Sequence, residues 1–151
     1  MIVLAFLIGI VAGLRAMIAP AAVAFAARYG GLDLSATPLA FMGYAYTPWI
    51  FGVLAAGELV TDQLPTTPSR KVPIQFGTRI IMGGLAGAAL GAAAGGIALG
   101  VLAGVVGAIV GTYGGAFARG AMARSFGSDR PAALIEDAVA LIGAFAIVSL
   151  A

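Results

Sequence analysis

From residue 80 to residue 118 the chain runs for 39 residues without a charge, and glycine recurs through that stretch at intervals of four. Gly83, Gly87, Gly91 and Gly95 form one series, Gly100 and Gly104 a second, and Gly107, Gly111 and Gly115 a third. Residues four apart share one helix face, so each series is a strip without side chains. In water each glycine would cost a helix about 1 kcal/mol against alanine, whereas in a bilayer small residues let helix backbones approach closely. A single helix over the run would reach about 58 Å, and a bilayer core is only about 30 Å thick. Folding at Gly95-Gly96 gives two helices of ordinary length and brings Arg79 and Arg119 to the same side. The pattern predicts a transmembrane hairpin packed as a glycine zipper.

Composition agrees. The chain has 151 residues, 62% of them hydrophobic and 9% charged, with a mean hydropathy of +1.09; soluble domains carry about 25% charged residues. We expect one integral membrane domain, 1–151, all-α and polytopic. A net charge of +2 with no basic face gives no sign of nucleic acid binding. Cysteine and histidine are absent, which excludes disulfides, thiolate or His-ligated metal sites and Cys- or His-based nucleophile systems. No cofactor, metal or catalytic set is expected.

Residues 2–12 lack a preceding basic residue, so they read as part of a retained first helix over 2–27 rather than a signal peptide. Arg15 falls near its middle, where a charge should face the bundle and find a partner. Pro20 predicts a kink one turn later. Residues 28–36 read as a loop. Thr37-Pro38 and Thr47-Pro48 each resemble an N-cap followed by a first-turn proline. They predict a short surface helix over 38–46 and a second crossing over 48–64. Phe41, Tyr44, Tyr46, Trp49 and Phe51 at that entry suit an interfacial aromatic belt. The proline-bounded segment 65–73 is a polar loop, the hairpin follows, 119–130 is a loop, and 132–150 is a last helix. About five spans result. Positive residues cluster on one side (Arg70, Lys71, Arg79, Arg119, Arg124 and Arg130), which predicts a cytoplasmic N-terminus and an external C-terminus.

Arg15, Glu58, Asp62, Arg79, Glu136 and Asp137 form the candidate site, an intramembrane charge cluster displaced toward the cytoplasmic side. Glu58 is the expected partner of Arg15, with Glu136 in reserve, and Arg79 is expected to meet Glu136 or Asp137. Such charges either hold helices in register as ion pairs or line a polar cavity for an ion, proton or small solute. The leading expectation is a small transporter or channel-like protein. The alternative is a non-catalytic accessory or scaffold protein that packs against a larger complex or binds an apolar ligand such as lipid, quinone or pigment. Either would work in the bilayer as a homo-oligomer or with a membrane partner.

Several motifs carry a resemblance: Gly13-Leu14-Arg15-Ala16-Met17, Gly57-Glu58 with Asp62 and Pro65, Gly77-Thr78-Arg79 opening a glycine-rich span, and Ile135-Glu136-Asp137-Ala138. The chain resembles, over nearly its whole length, a family of small bacterial integral membrane proteins catalogued as a domain of unknown function. The resemblance implies a bacterial inner-membrane location and assigns no activity.

Overall fold

The uncharged run does fold back at Gly95-Gly96. The computed structural model describes residues 1–61 and 73–151. Among these the chain forms six α-helices and one 3-10 turn, with no strand: α1 (Ile2–Leu14), α2 (Ile18–Tyr29), the 3-10 turn (Ala40–Gly43), α3 (Thr47–Thr61), α4 (Pro73–Ala93), α5 (Ile97–Phe126) and α6 (Asp129–Ser149). Three of them, α4, α5 and α6, are long and apolar enough to cross a membrane. Asp62, the loop with Arg70 and Lys71, and the last residues of the expected second span lie outside the described residues.

Glycine sets how α1, α4 and α5 meet. Along the α4–α5 hairpin, a Cβ on Gly87 would lie 2.8 Å from the Cα of Gly104, and one on Gly91 would lie 2.8 Å from the Cα of Gly100. The opposite side of α5 is as tight against α1. A Cβ on Gly107 would sit 2.9 Å from the nitrogen of Ile10, and one on Gly13 would sit 2.5 Å from that of Thr112. No side chain fits at such separations, so α5 touches its two neighbours by backbone. Gly115 is also buried. Gly95 departs from its series: it has φ +76 and nothing near its missing Cβ. Its place is the turn, where a left-handed backbone suits glycine.

The contacts also fix directions. Gly9 lies on Gly104 and Gly13 on Ala108 and Thr112, so α1 runs parallel to α5 and opposite to α4. Gly143 faces Val11 while Asp137 meets Arg15, so α6 opposes α1. α2 shares a groove with Leu141 and Phe145 of α6, which lie beyond Asp137 on the side α1 came from. α2 therefore doubles back beside the bundle. α3 then runs opposite to α2, since Trp49 and Gly52 meet Phe25 and Glu58 meets Ala16 and Met17. One end of the bundle, the turn end, carries both termini, residues 94–96 and residues 30–46. The other, the basic end, carries the α5–α6 junction and the close of α3.

This arrangement corrects the single first helix over 2–27. Residues 2–29 form a helical hairpin broken at 15–17. Pro20 supplies the reason: in a continuous helix its ring would strike the carbonyl of residue 16. With the break it occupies the first turn of α2, where its missing N–H costs nothing. The surface helix expected over 38–46 shrinks to the 3-10 turn, and the Thr47 hydroxyl donates to the carbonyl of Phe41 at 2.6 Å. The expected loop over 119–130 shortens as well. α5 continues to Phe126 and stops at Gly127, φ +70, before the Ser128 side chain caps α6.

Candidate functional site

A helix broken in a dry interior leaves backbone groups without partners: carbonyls at the end of the first piece, N–H groups at the start of the second. Each would cost several kcal/mol in hydrocarbon if left unsatisfied. α1 ends at Leu14, Arg15 is extended (φ −142, ψ 110) and α2 begins at Ile18. Side chains from two other helices reach this gap. From α4, Arg79 Nη1 donates to the carbonyls of Gly13 at 2.9 Å and Leu14 at 2.7 Å. From α3, the two carboxylate oxygens of Glu58 accept from Ala16 N and Met17 N, each at 2.8 Å. The signs match the helix dipoles, with a cation at the C-terminal end of α1 and an anion at the N-terminal end of α2. Glu58 and Arg79 also approach each other, Oε1 to Nη2, at 3.9 Å.

Arg15 turns to α6. Its Nε donates to Asp137 Oδ1 at 2.6 Å, and its Nη1 lies 3.7 Å from Glu136 Oε1. The second Glu136 oxygen accepts from Arg119 Nη1 at 3.4 Å, and Arg119 Nη2 donates to Asp129 at 2.7 Å. A line of charges thus runs from the hairpin tip to the basic end. Arg15, Arg79 and Glu136 are 0%, 2% and 5% exposed. Of the described charges inside the bundle, three arginines (15, 79, 119) face three carboxylates (58, 136, 137).

Five of the six candidate residues therefore come together, and Asp62 lies outside the described residues. The pairing differs from the expected one. Arg15 meets the reserve partner Glu136 and its neighbour Asp137, while Glu58 serves the break and Arg79. Direction explains the exchange. With α2 folded back, the tip faces α6 on one side and α3 on the other. Arg119, which closes the uncharged run, and Asp129, the first residue of α6, join the line as well. The carbonyls of Gly13 and Leu14 have no side-chain signature at all.

Outside the bundle, the Ser35 hydroxyl and N–H both donate to the Asp33 carboxylate and hold its pKa below the ordinary 3.8. Set against family models, curated proteins and solved structures, the chain matches none.

Proposed function

We propose that this is a small, non-catalytic carrier of the bacterial inner membrane, for an ion, proton or small solute, whose moving part is α2 with the tip of the α1–α2 hairpin. In this reading α3, α4, α5 and α6 cross the bilayer and the hairpin is re-entrant, entering from the turn end and returning to it. The glycine seam acts as the zipper that keeps α1, α4 and α5 together while the rest moves. Among the described residues Arg79, Arg119, Arg124 and Arg130 lie toward the end opposite the termini, against Arg28 alone at the turn end, so in this reading both termini are external. This replaces the cytoplasmic N-terminus expected from five full crossings.

One observation carries the carrier reading: Glu58 holds the two free amides at the hairpin tip. An unbroken helix would satisfy those groups without help. Helices broken within the bilayer, with their ends aimed at charged groups, are what carriers use to hold and release solutes. Here the chain's own Glu58 and Arg79 fill both ends, which describes a closed state.

The dryness of the cluster favours a second reading, an accessory protein whose charges only fix the fold. Thiol access separates the two. The chain has no cysteine, so Ala16→Cys provides a single label site at the tip, where Ala16 is 4% exposed. In proteoliposomes, a carrier should let a charged methanethiosulfonate reagent reach it within minutes, and faster when Glu58→Gln loosens the tip. Complete protection in both backgrounds would leave the accessory reading standing and remove the carrier.

A further inference from the structure

Beside the hairpin lies an apolar groove of about 190 Å³. Its floor is Ile18, Ala21, Ala22 and Phe25 of α2, and its walls are α3 and α6. Small residues flatten the α3 wall: Gly52, Ala55 and Ala56. The α6 wall is Leu141 and Phe145, both exposed at the rim, so the groove opens sideways between α3 and α6. Among the described residues no polar side chain lines it. A space of this kind excludes water and accepts hydrocarbon.

Its upper end lies under the Phe25–Trp49 edge-to-face pair at the turn end. Arg28 stands one turn further along α2, exposed, with its guanidinium 5.9 Å from the Tyr29 ring and no ion pair among the described residues. Of Arg15 and Arg28, the basic residues of the hairpin, it is the one at the turn end rather than at the tip. Along α2 the groove extends from Phe25 to Ile18, about 10 Å, against roughly 15 Å for one leaflet of hydrocarbon. A cation at the water boundary above an apolar slot of that depth fits one class of molecule.

We propose that the groove holds an acyl chain of a phospholipid from the outer leaflet, with the lipid phosphate on Arg28. The guanidinium binds phosphate through paired N–H donors, and an anionic headgroup gains more from it than a zwitterionic one. The chain lies under Phe25, and its end reaches Leu59, next to the clamp residue Glu58. The lipid thereby packs against the face of α2 that must shift if the hairpin moves. The inference rests on the bilayer placement proposed above but not on carrier motion.

Native mass spectrometry of the whole chain, released from nanodiscs of phosphatidylglycerol and phosphatidylcholine, tests it. The wild type should keep one phospholipid, with phosphatidylglycerol preferred. Gly52→Leu should lower retention roughly tenfold by filling the slot, since one added atom there meets only the Phe25 ring at 3.6 Å. Arg28→Gln should lower it severalfold and erase the headgroup preference. If Gly52→Leu does not fold, Ala56→Leu on the rim gives the same reading. Equal retention by the filled variants, no retained lipid, or retention of a neutral isoprenoid instead would each overturn the proposal. None of these results bears on labelling of Ala16→Cys, so the two readings fail separately.

Discussion

Arg15 lies about 20 Å along α1 from the turn end, fully buried, with its guanidinium against α6. Removing one member of such a pair strands the other, and the expected cost of Arg15→Ala is about 3–5 kcal/mol. Asp137→Asn in the same chain should recover part of that loss, with a coupling above about 0.5 kcal/mol in a double-mutant cycle. Coupling between Arg15 and Glu58 should be smaller, because the short, charge-assisted contact of Arg15 is to Asp137. Unfolding titrations in mixed micelles measure both cycles. A larger coupling to Glu58 would mean that the tip is held differently in solution. Glu58 plays a separate part at the break. Each Glu58 oxygen takes one amide, so Glu58→Gln, which sets an NH2 donor against one of them, should lose one of the two bonds, at about 1–3 kcal/mol.

At the scale of elements, the glycines divide by what faces them. Gly104 lies against Gly83 and Gly87 of α4 and is itself faced by Gly9 of α1, so both sides of it are closed. Gly104→Ala should therefore push two helices apart and lower the melting temperature in detergent, at a cost of about 1–3 kcal/mol. Gly114 and Gly77 face open space, and alanine at either should be neutral or slightly stabilising. Equal melting temperatures for Gly104→Ala and Gly114→Ala would show that the seam does not hold the fold together. The α4–α5 hairpin was legible in the sequence because its signals are local: an uncharged run, a period of four and a Gly-Gly turn. The break at 15–17 was not. Pro20 marked the place, but the partners that make a break tolerable, Glu58 and Arg79, lie 41 to 66 residues away in the chain. Nothing near Arg15 distinguishes a kinked span from a hairpin.

For the molecule as a whole, hydropathy reports that a segment is apolar and says nothing about its direction. The parallel course of α1 and α5, which turns the first span into a hairpin, is a tertiary fact and escaped the sequence for that reason. It leads to a topology that chemistry can check. Ile2 and Ser149 both belong to the turn end, so in the proposed placement a cysteine at either should react with an impermeant maleimide from outside intact cells. One at Ser125, near the basic end of α5, should react only after the inner membrane is opened. Protection of Ile2→Cys in intact cells would restore a full first crossing. The same geometry has a consequence for biogenesis. Ribosomes deliver residues 1–29 first, yet every side chain that neutralises or caps the hairpin tip arrives later: Glu58, then Arg79, and last Glu136 and Asp137. Until α6 is synthesised, Arg15 has no carboxylate from that helix to meet. In the proposed placement α1 and α2 precede every group that caps or neutralises their tip, so the tip is buried only after those groups arrive.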